Sequence, residues 1–174
     1  MRTLVTERLQ IRRMSTADAG FMLTLLNDPS WLRFIGDRGV RTLEDAENYI
    51  RQGPVAMYAS HGYGFCIVES RESGCAIGIC GLAKREYLDS ADLGFALLPQ
   101  YWGKGYAHEA AAAMLAHATT ELGMKRVLAT TRIDNTDSQK LLEKLGLRFE
   151  CLIRHPVGDR ELKLFALSQR APAA

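Results

Sequence analysis

With 174 residues the chain is long enough to bury one full core and short for two. Its 22 basic and 20 acidic residues leave a net charge of +2, too even a balance to point to nucleic acid or a membrane surface. Apolar runs reach roughly seven residues, against the ~20 that cross a bilayer, and the opening Met-Arg-Thr-Leu-Val-Thr-Glu has no signal-peptide core. The expectation is a cytoplasmic protein with a single domain over residues 1–170 and a frayed tail over 171–174.

Leu9, Ile11 and Arg13 alternate with Arg8, Gln10 and Arg12 after a turn-like start, which predicts a half-buried first strand. Ser15 or Thr16 then caps a helix with Asp18 in its first turn and Phe21, Met22, Leu25 and Leu26 on one face, ended by Asn27-Asp28-Pro29. A short helical piece follows over 31–35. After a glycine-bearing loop at 36–39, Thr42 with Asp45 three residues on reads as a capping box, opening a helix that reaches about Ala59.

Residues 63–69 and 76–84 read as an antiparallel hairpin around a turn at 70–74, with Gly78 and Gly81 marking bulges or close approach of a neighbouring chain. A strand over 91–98 leads into Gly103-Lys104-Gly105 and then an alanine-rich helix. In that helix Ala107, Ala110, Ala111, Met114, Leu115, Ala118 and Leu122 follow the 3.6-residue period up to Gly123. A β-rich run at 126–133, a helix capped by Asn135 and ended by Gly146, and two strands at about 148–154 and 161–167 complete the chain. The sum is an α/β fold, a mixed central sheet of about six to seven strands with helices on both faces.

Cys66, Cys75, Cys80 and Cys151 form no Cys-x-x-Cys pair, and three of them fall in strand-like runs, as reduced thiols do. His108 and His117 point to opposite sides of one helix and His61 and His155 lie elsewhere, so no metal site is expected.

The strand, glycine turn and helix around Gly103 make an anion site, because glycine lets backbone N–H groups approach a ligand and a helix start adds its positive dipole end. Phosphate or pyrophosphate suits it. A dinucleotide fingerprint needs glycine where His108 stands, and a nucleotide P-loop needs one at Leu98, so both readings lose ground.

Gln100-Tyr101-Trp102-Gly103-Lys104-Gly105 resembles the Gln/Arg-x-x-Gly-x-Gly/Ala signature of the GNAT superfamily of N-acetyltransferases. The stretch from Asn135 to Leu147 resembles the superfamily's second block, and Thr6-Glu7-Arg8-Leu9-Gln10-Ile11-Arg12 resembles its ribosomal-protein N-terminal acetyltransferase branch. The resemblance implies an acetyl-CoA-dependent transfer of an acetyl group directly to a primary amine, a protein N-terminal α-amine being one acceptor and a small amine, amino acid or antibiotic another. A monomer or homodimer is expected, with neither nucleic acid nor membrane as partner.

The pyrophosphate is then expected on N–H groups from Gly103, Lys104, Gly105, Tyr106 and Ala107, with Gln100 shaping the turn. The pantetheine arm is expected beside Phe95, Leu97 and Leu98 as an added half-strand, the Leu98 N–H donating to the developing oxyanion. Asn135 is expected to meet the arm and cap its helix. The resemblance implies that Ser138, as in the ribosomal-protein branch, or a water gives a proton to the leaving thiolate, since the tyrosine that many relatives carry past this helix has no counterpart in residues 135–167. Asp92 stands where this branch often carries glutamate and is the expected base through a water, with Glu86, Glu150 and His155 as fallbacks. Trp31, Arg33 and Phe34 are expected on the acceptor side by position, the aromatics doubling as core. A second reading of the same loop is a CoA-binding sensor without catalysis, and a third is a nucleotide-binding domain.

Overall fold

Alternation and capping place most elements where the residue pattern predicts them. A computed structural model describes residues 2–158 and 160–168, so the expected tail at 171–174 lies outside the described residues. The order is β1 (Leu4–Val5), β2 (Leu9–Arg13), α1 (Ala19–Leu26), α2 (Pro29–Phe34), α3 (Leu43–Ile50) and α4 (Ala56–His61). There follow β3 (Phe65–Ser70), β4 (Ala76–Ala83), β5 (Asp92–Leu97), α5 (Tyr106–Thr120), β6 (Arg126–Arg132), α6 (Thr136–Lys144), β7 (Arg148–Arg154) and β8 (Glu161–Ser168).

The strands form one eight-stranded sheet in the order β1-β2-β3-β4-β5-β6-β8-β7. The added strand is β1, whose two residues are too few for alternation to register. The helix expected from Thr42 to about Ala59 is broken into α3, a π-turn over Arg51–Val55 and α4, because Pro54 inside the turn has no N–H to continue the ladder. Thr42 does cap it, its hydroxyl accepting the Asp45 N–H at 3.1 Å.

Two apolar layers sandwich the sheet. On one face Ala19, Met22, Leu25, Ala46 and Ile50 of α1 and α3 pack on Ile67 and Ile79. On the other, Ala110, Ala111, Met114 and Leu115 of α5, with Leu142 of α6, pack on Ile77, Leu82, Leu93, Val127 and Phe165. Fully buried alanines at 110 and 111 bring α5 close to the strands, and truncating Met114 there would cost about 2–5 kcal/mol. Gly81 is a close approach, since a Cβ on it would stand 2.3 Å from the Gly64 carbonyl. Gly78 adjoins an irregularity in the β3–β4 register beside Val68.

All strand pairs are antiparallel except β5 with β6, whose register has a single pair, Asp92 opposite Leu128. Beyond it the two strands part. That opening joins the two faces of the sheet and positions the site.

Candidate active site

A cleft of about 2360 Å³ runs through the opening, lined from both faces. Its fork is held by a side chain. Leu128 N–H still bonds Ala91 O at 2.8 Å, but two residues later the Thr130 N–H bonds the Asp92 carboxylate at 3.0 Å. The other carboxylate oxygen accepts Arg85 Nε at 3.2 Å. Burial pushes the Asp92 pKa up, against the opposing pull of Arg85 and the Thr130 bonds. Asp92, expected as the base, therefore lines the cleft at 4% exposure with both oxygens engaged in bracing the fork.

Past the fork, β5 has a bare edge. Leu98 N–H bonds Ile77 O on β4 at 3.0 Å. In an antiparallel ladder bonding alternates, so the N–H groups of Phe95 and Leu97 face the opposite way, into the cleft that both residues line. This corrects the expected oxyanion donor: the Leu98 amide is committed to β4, and Leu98 is absent from the cleft lining.

The anion loop has the backbone its glycines require. Gly103 and Gly105 have φ of 70° and 81°, left-handed values that other residues adopt only under strain. Helix α5 begins at once, its first internal bond running from Glu109 N–H to Gly105 O at 3.0 Å, which leaves the N–H groups of Tyr106, Ala107 and His108 outside the helical ladder. Gly103, Gly105, Tyr106 and Ala107 line the cleft; Lys104 and Gln100 do not, and Gln100 lies exposed in a short turn over Pro99–Tyr101.

Arg8, in the Thr6–Arg12 block, is a cleft residue that no spacing in the sequence singles out. It reaches the loop from the start of β2: Nη1 donates to Lys104 O at 2.8 Å, Nε to Glu109 at 2.7 Å, and the guanidinium lies 4.6 Å from the Tyr106 ring centre. Thr6 Oγ1 and the Arg8 N–H both donate to the other Glu109 oxygen, at 2.6 and 2.9 Å. Burial raises the Glu109 pKa, but the bonds from Thr6 and Arg8 outweigh it and hold the carboxyl below its ordinary value.

Asn135 and Ser138 come together on the same side. Asn135 Oδ1 caps α6 by accepting the Ser138 N–H at 3.2 Å, leaving its amide NH₂ for a ligand. The Ser138 hydroxyl has no partner among the described residues, and both side chains belong to residues lining the cleft.

Across the fork, Trp31 and Phe34 line the cleft and Arg33 does not, its guanidinium lying 4.8 Å from the Phe34 ring centre. Trp31 is also core, and its indole N–H is spent on Gly36 O at 3.1 Å. Glu86 and His155 line the cleft; Glu150 is paired to Arg126 at 2.6 Å, away from it. Tyr49 and Tyr87 join them unforeseen. Burial raises both phenol pKa values, against the opposing pull of Arg38 and Arg85. Tyr87 stacks edge-on against His155 at 5.3 Å. Tyr49 comes from α3, Glu86 and Tyr87 from the β4–β5 loop and His155 from the β7–β8 turn, so no local pattern shows them together.

Residues 8–148 match the family described as Acetyltransferase (GNAT) domain. An uncharacterized N-acetyltransferase, p20, of Bacillus licheniformis is 30% identical over 155 residues, covering 88% of this chain and 86% of its own. The crystal structure of a GNAT-family acetyltransferase from Bacillus anthracis superposes with a TM-score of 0.80 at 25% identity, over 96% of this chain and 98% of that one. The fold also matches RimL, a ribosomal alpha-N-protein acetyltransferase in complex with coenzyme A, with a TM-score of 0.82 at 16% identity, over 96% and 98%. The family match extends from the Arg8 block through the anion loop to α6, and with it the chain belongs to the GNAT acetyltransferases, as an acetyl-CoA-dependent N-acetyltransferase.

Proposed function

We propose that the chain transfers an acetyl group directly from acetyl-CoA to a primary amine, the donor lying on the α5 face of the fork and the acceptor on the α2–α3 face. The observation that carries this is the opening of β5 from β6, which leaves two main-chain donors facing a cleft that reaches both faces. Acetyl-CoA supplies an activated acyl group and a thiolate leaving group.

The chain's residues fit such a donor. N–H groups at the start of α5 take the pyrophosphate, with Arg8 beside them and Lys140 and Lys144 lining the same half. Phe95 and Leu97 receive the amide-bearing arm as a half-strand, and the Phe95 N–H, farther from the loop, donates to the thioester oxygen as it gains charge. Asn135 keeps an NH₂ for the arm.

The amine nitrogen attacks the thioester carbon, the C–S bond breaks, the ammonium proton leaves through water, and the thiolate takes a proton from Ser138 or water. Asp92 acts on this step through a water and by keeping the fork open. Because both its oxygens are engaged, the proton passes on from that water to Glu86, His155 or solvent, which share the cleft. No cysteine nucleophile enters: burial pushes the Cys66 thiol up to about 11 and Cys80 higher still, and neither cysteine lines the cleft.

The opening block from Thr6 to Arg12 supports a place in the ribosomal-protein N-terminal acetyltransferase branch, and with it an α-amine acceptor. An α-amine of pKa ~8 is partly neutral at pH 7 and needs little base, which suits a site whose one buried carboxylate is already committed. Thiol release from acetyl-CoA, followed with peptides, amino acids, polyamines and aminoglycosides and paired with calorimetry of CoA binding, tests the reading. Amine-dependent release is expected. CoA binding without release by any amine would overturn transfer, and absence of CoA binding would overturn the loop assignment.

A further inference from the structure

The acceptor half of the cleft carries more positive charge than it neutralises. Arg38, Lys84, Arg85 and Arg160 line it, against Asp37, Glu86 and Asp92. Two of the carboxylates are already spoken for: Asp37 pairs with Arg41 at 2.5 Å, and Asp92 with Arg85. Arg38, Lys84 and Arg160 remain, with Glu86 the one carboxylate among the described residues left to oppose them.

Arg160 reaches the loop that carries Arg38. The Arg160 guanidinium crosses from the β7–β8 turn to within 3.5 Å of where Gly36 would carry a Cβ, two residues from Arg38. Arg38 and Arg85 both oppose the upward pull of burial on Tyr49 and Tyr87, two half-buried phenols on the same wall. Neither Arg38 nor Arg160 has an ion-pair partner among the described residues.

A polyamine or aminoglycoside entering this half would meet like charge and, among the described residues, one uncommitted carboxylate. An amine that also carries a carboxylate would place its anion between Arg38 and Arg160 and its nitrogen towards the fork. A guanidinium pair is suited to that task, since each presents a planar fork of N–H donors matching a carboxylate.

We infer that the acceptor is an amine bearing a carboxylate group, held by Arg38 and Arg160, and that polycationic amines are excluded. The inference rests on the transferase reading above. Two sources share this chemistry, free acidic amino acids and peptide N-termini followed by acidic residues.

The test is the initial rate of thiol release at saturating acetyl-CoA with glutamate, an acidic tetrapeptide, the amidated neutral form of each, and spermidine. The carboxylate-bearing amines should exceed their neutral forms by on the order of tenfold in kcat/KM, with the larger value naming the source, and spermidine should fall below both. R38Q and R160Q together should erase most of that difference and leave the KM for acetyl-CoA in place, which a folding defect would not. Equal rates for charged and neutral forms, a preference for spermidine, or a preference that survives the double variant would overturn the inference. Calorimetry of N-acetylglutamate against N-acetylspermidine in the presence of CoA reads the same preference without turnover, so failure of transfer and failure of charge selection are distinguishable.

Discussion

The two halves of the cleft are built by different means. The donor half is made largely of main chain: two left-handed glycines, the start of a 15-residue helix and the bare edge of β5. The acceptor half is made of side chains from the α2–α3 loop, α3, the β4–β5 loop and the β7–β8 turn. Main-chain geometry is bound to a few sequence positions and tolerates changes elsewhere, whereas a wall of side chains from separate loops is free to vary its charge without disturbing the sheet. A scaffold so divided keeps its donor and changes its acceptor.

Asp92 stands where the halves meet, so its loss should damage both. Asp92→Ala leaves the Thr130 N–H without its carboxylate and Arg85 without its partner, at a cost of roughly 2 kcal/mol because Arg85 is partly exposed, read by urea unfolding. Asp92→Asn keeps an acceptor for Thr130 and should cost about half as much. Because the folded pKa of Asp92 is raised, its contribution is complete below the ordinary 3.8 and declines as pH rises through the raised value. The gap between wild type and Asp92→Asn should therefore narrow from acid to neutral pH. A gap that widens would mean that the ionised carboxylate is better solvated than its burial implies.

Gly105→Val should strike the donor half alone. A β-branched residue at φ 81° carries about 2 kcal/mol of strain, which the free loop relieves by rearranging, so it should appear as ~30-fold weaker CoA binding by calorimetry. Amine selectivity should be unchanged. Altered selectivity would break the division between the halves.

Arg8→Gln is a smaller version of that experiment. It removes the tie from Arg8 to Lys104 O and half of the Glu109 clamp, and the KM for acetyl-CoA should rise about fivefold, in line with one exposed charge-assisted contact. The clamp has the opposite pH sign to Asp92. Glu109 is held below its ordinary 4.5, so its contribution is complete above 4.5 and lost as pH falls through the lowered value. Stability curves of wild type and Glu109→Gln should converge in acid. Parallel curves would remove the clamp from the account.

The same division explains what could be read from the sequence. Glycine spacing, the Asn135 cap and the alanine face of α5 are local patterns, and each lies where its spacing predicts. The parity of β5 was not local: whether Leu97 or Leu98 turns its N–H to the cleft depends on the β4 register, which sequence alone does not set. Tyr87, Arg38 and Arg160 sit in polar loops with no periodicity and Tyr49 in α3, and tertiary folding alone brings them to one wall.

Ser138→Ala should have the smallest effect, and its size decides how much side-chain chemistry the donor half contains. Ser138 lines the cleft one helical turn from Asn135, its hydroxyl without a partner among the described residues, and the role proposed for it is protonation of the departing sulfur. A thiolate of pKa ~8.5 leaves without much help, and the loss in kcat should stay within about tenfold with the KM for acetyl-CoA nearly constant. A hundredfold loss in kcat, restored by Ser138→Thr and confined to amines of high pKa, would make proton delivery part of the slow step. The donor half would then depend on a side chain as much as on its backbone.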